Sequence, residues 1–135
     1  MKEKFKRFYM KTAINTSELS YCERAKVGAI IVKDDSIIAY GYNGTPSGDE
    51  NVCEINNKTK PEVIHAELNA IAKVARSNNS CYGAAMFITH SPCMECTKLI
   101  LQSGIVGVYY QNDYKDPSGL NLLKHHNVYC EKVNL

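Results

Sequence analysis

Two short stretches hold the residue types that do chemistry: His65-Ala66-Glu67 and Pro92-Cys93-Met94-Glu95-Cys96. One imidazole and two thiolates form a zinc donor set, and three protein ligands leave one of four tetrahedral positions for water. Zinc lowers the pKa of such a water, so hydroxide becomes available near neutral pH. Glu67 stands two residues from His65 and is not needed as a ligand, which suits its carboxylate to moving protons. The pattern describes one catalytic Zn2+ per chain, held by His65, Cys93 and Cys96, with Glu67 as the proton shuttle.

Each motif also has a plainer reading. A histidine at a helix start is often a cap or a packed core residue, and C-x-x-C is often a structural zinc half-site or a redox pair. A structural zinc asks for a second ligand pair at comparable spacing, and the chain has no second C-x-x-C. A redox pair has no use for the upstream H-x-E. The two motifs together favour catalysis over either alternative.

The 135 residues suit one domain, 1–135, with a core that needs no staples. Sixteen basic and fourteen acidic residues nearly balance, so no strong positive field awaits a nucleic acid. The amino-terminal MKEKFKRFYMK is basic but lacks the apolar run of a signal peptide, and no stretch approaches membrane-spanning length. A cytoplasmic protein with no membrane partner is expected. On that footing the six cysteines read as reduced thiols or ligands.

The elements that must position the motifs follow from periodicity. Phe5, Phe8, Tyr9, Thr12 and Ala13 recur at helical spacing and predict a first helix with a Lys-rich outer face, followed by a polar loop over 15–22. Val27 to Val32 is a β-branched apolar run that predicts a strand buried on both faces. Asp34-Asp35-Ser36 turns it back as a hairpin with Ile37 to Tyr42. Residues 43–48 are dense in turn formers and follow a core strand, so they suit a substrate-facing loop; 49–60 reads as irregular. Pro61 and Glu62 predict a helix to about Arg76, with Ile64, Leu68, Ile71 and Ala72 buried.

His65 and Glu67 lie about 200° apart around a regular helix, so they share one metal site only at its amino-terminal end. Residues 84–89 predict a strand that delivers His90, Ser91 and Pro92 to another helix start. There Cys93 and Cys96 share a face, and first-turn N–H groups favour thiolates. Gly104 caps that helix. Residues 106–110 predict a strand, 112–119 a cleft-edge loop with Tyr114 and Lys115, 120–126 a short helix ending in His125 and His126, and 128–133 a last strand. The order implies a three-layer α/β/α sandwich around a mixed five-stranded sheet.

The H-x-E…P-C-x-x-C arrangement resembles the signature of zinc nucleobase deaminases. Lys26-Val27-Gly28-Ala29, Gly41-Tyr42-Asn43-Gly44-x-Pro46-x-Gly48 and His65-Ala66-Glu67-Leu68-Asn69-Ala70-Ile71 together resemble the deoxycytidylate deaminase branch of the cytidine and deoxycytidylate deaminase family. The resemblance runs from about Phe5 to Val133. It implies a cytidine deaminase-like fold and conversion of dCMP to dUMP and ammonia for thymidylate synthesis. It also implies activation by dCTP, inhibition by dTTP, Mg2+ accompanying a regulatory triphosphate, and a homohexamer.

Carried onto this sequence, the resemblance makes Asn43 the residue at the sugar hydroxyl, Tyr114 a tyrosine near the phosphate end, and the backbone at Ala66 and Ser91 the surface facing the base. It makes Lys26, Asn43, Gly44 and Pro46 the regulatory nucleotide region. Arg76 aligns with a family arginine near the subunit interface. It stands eleven residues beyond His65, ~16 Å along a helix, too far to grip the same monomer's substrate easily. It is either a helix carboxy-terminal cation or an intersubunit phosphate contact. Some viral members hold a second, structural zinc with two cysteines and two histidines. Cys22 and Cys53 fall at those cysteine positions, but the histidine-bearing insertion is missing, so no second zinc is expected and both cysteines are expected as free thiols.

Three rivals remain in view. A deaminase acting on another cytosine nucleotide would share every motif. A deaminase acting on a base in nucleic acid, like the tRNA adenosine deaminases, would need a basic, aromatic-lined channel, and this chain has three arginines and no Trp. A zinc-stabilised interaction domain would leave Glu67 without a purpose.

Overall fold

A computed structural model describes residues 1–135. Its centre is a strand, β1 (Gly28–Lys33), apolar from Ala29 to Val32 and buried on both faces. Asp34 and Asp35, at φ of 50° and 60°, form a two-residue turn whose left-handed backbone matches hairpin twist. The chain then returns antiparallel as β2 (Ser36–Tyr42). On its other side β1 pairs antiparallel with β5 (Ala85–His90). From there β6 (Gly107–Asn112) and β7 (Tyr129–Lys132) add in parallel, giving the order β2-β1-β5-β6-β7.

Strand alternation divides the core in two. Ile30, Val32, Phe87 and Tyr109 meet Tyr9, Met10 and Ala13 of α1 (Glu3–Ser17). Ala29, Ile31, Met86, Ile88 and Val108 face the other way. There they meet α2 (Ala66–Ala75), α3 (Met94–Ser103) and α4 (Ser118–His125) through Ala70, Val74, Ile100 and Leu123. The three-layer α/β/α sandwich with a mixed five-stranded sheet is therefore the observed fold, and Gly104 (φ 85°) ends α3 as a left-handed cap.

Several boundaries differ from the sequence reading. α1 continues to Ser17, so the loop is confined to 18–27. Its buried row is Tyr9, Met10, Ala13, Thr16 and Ser17, while Phe5 and Phe8 are exposed. Their rings are used locally, Phe8 edge-on to Tyr9 at 5.3 Å and Phe5 under the Lys4 ammonium at 5.2 Å. α2 begins at Ala66 and not at Pro61, because Ile64 pairs with Gly44 in an isolated antiparallel bridge (N–H···O 2.8 and 3.1 Å) that keeps the backbone extended up to His65. Its buried face is Ala66, Glu67, Ala70 and Val74; Ala72 is exposed and Leu68 and Ile71 are half-buried.

The segment read as irregular contains a small hairpin, β3 (Glu54–Ile55) and β4 (Lys58–Thr59), turned by Asn56 and Asn57 at positive φ. Cys22 and Cys53 are not free thiols. They form a disulfide across 31 residues of chain, with Cα atoms 5.1 Å apart. The cause is tertiary: the Glu54 carboxylate accepts the backbone N–H groups of Glu23 and Arg24, which brings the two cysteines within bridging range.

Closure of a loop of that length restricts the unfolded chain, so reduction of the bridge, or Cys53→Ala, lowers the unfolding free energy by about 3–4 kcal/mol. Denaturant melts with and without reductant measure this, and non-reducing peptide mapping recovers the linked Cys22 and Cys53 peptides. A second prediction concerns the seat of α2. A Cβ on Gly41 would press on the Ala66 carbonyl and stand 2.6 Å from the Ala70 nitrogen. Gly41→Ala therefore costs roughly 3 kcal/mol in the same melts, because helix backbone, unlike a flexible side chain, cannot step aside.

Candidate active site

His65 and Cys93 occupy equivalent places, each the extended residue just before a helix, with ψ of 153° at His65 and 170° at Cys93. α2 and α3 thus bring their amino-terminal ends together. His65 Nδ1 lies 3.6 Å from Cys93 Sγ and 3.3 Å from Cys96 Sγ. A tetrahedral zinc with ordinary bond lengths places a nitrogen and a sulfur ligand roughly 3.5 Å apart, so the donors stand at the spacing zinc requires. Cys96 is buried, Cys93 half-buried and His65 exposed, which grades the site from core to solvent.

Glu67, in the first turn of α2, is 4% exposed. Burial is the main force on its carboxyl and pushes it up to about 7, against the lowering effects of its own backbone N–H and of His65. A carboxyl poised near neutrality is suited to both accept and return a proton. Hydrogen bonding from Cys96 and then from His65 draws the Cys93 thiol down to about 3, so its sulfur is held as thiolate. Cys96 moves the other way, first through its hydrogen bond with Cys93 and then through burial, because two adjacent sulfurs do not ionise independently. His65 is raised by its hydrogen bond with Cys93.

His65, Glu67 and Cys93 open on a cleft of about 320 Å3. Asn43, His65, Ala66, Glu67, Ser91, Cys93 and Tyr114 all line it. The Asn43 amide is engaged with backbone at both ends: Oδ1 accepts the Val27 N–H at 2.9 Å and Nδ2 donates to Ala25 O at 2.8 Å. Ser91 Oγ accepts the Tyr114 N–H at 2.7 Å, which seats the 113–117 loop against the cleft, and the Ser91 N–H donates to Asn112 O. Lys26, Gly44 and Pro46 lie on adjoining segments and do not line the cleft. Arg76 is the exposed carboxy-terminal cap of α2, at the far end from His65.

Sequence reasoning did not place seven of the cleft residues there: Cys22, Arg24, Ala25, Val27, Glu54, Thr59 and His90. Cys22, Val27 and His90 stand in segments that the sequence singles out, whereas Arg24 and Glu54 are marked only by lying near the cysteines that the fold joins.

Residues 3–112 match the family of the cytidine and deoxycytidylate deaminase zinc-binding region. The chain belongs to that family. It is 41% identical over 122 residues to ComE operon protein 2 of Bacillus subtilis, an alignment that covers 86% of this chain and 64% of that protein. It is 34% identical over 147 residues to the deoxycytidylate deaminase of Enterobacteria phage T4, covering 78% of this chain and 76% of the other. Among solved structures, the dCMP deaminase of cyanophage S-TIM5 in complex with dCMP and dUMP superposes with a TM-score of 0.95 at 49% identity, covering 98% of both chains. The chain thus spans just under two thirds of the Bacillus protein and nearly all of the cyanophage one. No helix is long and apolar enough to cross a membrane.

The ligand assignment has a direct check. Cys96→Ser and His65→Ala, purified beside the parent chain, are expected to drop from about one zinc per chain to substoichiometric metal by elemental analysis, since each removes one of three donors. Cys130→Ser, which alters a half-buried thiol outside the cluster, is expected to keep full metal content.

Proposed function

We propose that this chain is a zinc-dependent hydrolase that converts dCMP to dUMP and ammonia. The observation that carries this reading is the meeting of His65, Cys93 and Cys96 at zinc-ligand spacing with Glu67 buried beside them. Likeness to proteins named as deoxycytidylate deaminases selects the substrate. Zinc held by the three ligands would supply a Lewis acid that brings the pKa of water toward 7. Glu67 takes a proton from the attacking water and delivers it to N3 of cytosine. It then passes the second proton to the exocyclic amine, which leaves C4 as ammonia. The backbone at Ala66 and Ser91 faces the base, Asn43 the sugar, and Tyr114 the phosphate end.

The same reading places regulation on the loops beside the cleft. dCTP, with Mg2+, activates and dTTP inhibits from a site at Lys26, Asn43, Gly44 and Pro46, in a homohexamer with Arg76 near a subunit interface. The two hydrogen bonds that Asn43 makes, donating to Ala25 and accepting from Val27, support this, because they link the Lys26 segment mechanically to a residue that lines the cleft.

Glu67→Ala is expected to keep the fold and the zinc but lose about 10²–10⁴-fold in kcat on dCMP. Near-parental turnover by that variant would remove Glu67 from its role. Steady-state ammonia release from dCMP, dCTP, deoxycytidine and CMP, each with and without dTTP, tests substrate choice and regulation together.

A further inference from the structure

Cys22 and Cys53 stand outside the ligand cluster, yet Cys22 lines the catalytic cleft, so the bridge between them is part of its wall. We propose that this bridge is a redox switch on the cleft. A dithiol reductant opens it, the wall formed by residues 20–27 and the hairpin at 54–59 loosens, and substrate is held less tightly. The effect on substrate rests on the deaminase reading above; the loosening of the wall does not.

Three observations support the switch. The bridge joins two segments that both supply cleft residues, Arg24, Ala25 and Val27 after Cys22, and Glu54 and Thr59 after Cys53. The noncovalent links beside it are exposed to water. The Glu54 carboxylate accepts the backbone N–H groups of Glu23 (3.2 and 3.3 Å) and Arg24 (3.2 Å), and Arg24 Nη1 makes a long contact with Thr59 Oγ1 at 3.4 Å. β3 and β4 pair only with each other over two residues each, and such a hairpin is marginal by itself, so covalent closure does most of the holding. The clamped segment also carries Asn43. Ser20 Oγ donates to Asn43 O at 2.8 Å, the Asn43 N–H donates to Val27 O at 3.2 Å, and the Asn43 amide spans Ala25 and Val27. A wall that loosens therefore takes with it the residue assigned to the sugar.

Both cysteines are 2% exposed, and Cys22 meets open space in the cleft, so a reductant reaches its sulfur from that side and a filled cleft shields it. The step balances with a protein or small-molecule dithiol. One reductant thiolate attacks Cys22 Sγ, the bridge S–S bond breaks, and Cys53 leaves as thiolate. The second reductant thiol then displaces Cys22 from the mixed disulfide. The reductant ends as its own disulfide, and its two electrons and two protons end on the Cys22 and Cys53 thiols. By linkage, a ligand that prefers the closed wall favours the disulfide by the same factor by which the disulfide favours the ligand.

The test compares the zinc-loaded chain oxidised, reduced with dithiothreitol and reoxidised, beside a Cys22→Ala, Cys53→Ala double variant. Thiols titrated under denaturing conditions are expected to rise from four to six on reduction. Reduction is expected to raise KM for dCMP about tenfold, as when the closed wall is populated about one tenth of the time, and reoxidation to restore it. Zinc content is expected to hold and kcat to stay within about twofold, which a merely unfolded chain would not show. The double variant is expected to have the raised KM and no response to reductant. dUMP at about ten times its dissociation constant is expected to slow reduction of the parent about tenfold. An unchanged KM after complete reduction overturns the switch. So does a response to reductant that persists in the double variant, or a joint loss of kcat and zinc, either of which would put the effect at Cys93 and Cys96. Uptake of a second zinc by the reduced chain overturns it in favour of a metal site at Cys22, Cys53 and Glu54. A parent chain inert on dCMP in both states sinks the deaminase reading alone. The wall is then read by amide hydrogen exchange over residues 20–27 and 54–59, which is expected to quicken on reduction, and unchanged exchange there overturns the switch.

Discussion

The structure turns on the cost of keeping a carboxyl group out of water. Glu67 is buried, and burial works against its ionised form more strongly than its neighbours work for it. A group held in that balance changes protonation with little driving force, which suits the proton-carrying role proposed for it. The positive ends of two helices, the imidazole and the pair of sulfurs surround the same point and set where that balance falls.

That convergence depends on strand register. β5 is shared: antiparallel pairing places it beside β1, over which α2 lies, and parallel pairing places it beside β6, with α3 as the crossover. His65 and Cys93 meet because these two pairings fix the helices they introduce. Gly41 sets how deeply α2 sits, since its missing side chain lets the helix backbone rest directly on β2. A slip of β5 by one residue against β1 would turn Phe87 away from Ile30 and into the wrong layer, so the core of the sheet and the geometry of the site are specified together.

Much of this was legible in the residues themselves. The apolar run from Val27 to Val32, the Asp34-Asp35 turn and the Gly104 cap each carry a local signal that the fold obeys, and the H-x-E and C-x-x-C motifs supply the donor atoms that the fold brings together. The illegible parts depend on partners distant in sequence. Phe5 and Phe8 fit the helical stripe but stay exposed, because the sheet meets α1 through Tyr9, Met10 and Ala13. Pro61 signals a helix start, yet Pro61 and Glu62 form only a turn, and the bridge from Gly44 to Ile64 delays the helix to Ala66. Nothing local marks Cys22 as the partner of Cys53, and Arg24 meets Thr59 only once the hairpin at 54–59 closes beside it.

The division of the proposed ligands between two segments would have a consequence for the life of the molecule. His65 and Cys93 are twenty-eight residues apart and are joined only by the finished sheet, so an unfolded chain has no comparable grip on the metal. By mass action, free zinc at a hundred times its dissociation constant would add about 2.7 kcal/mol to the stability of the folded form. Zinc supply would then govern how much folded protein persists as well as how fast it works, and scarcity of the metal would be felt first as shortened lifetime.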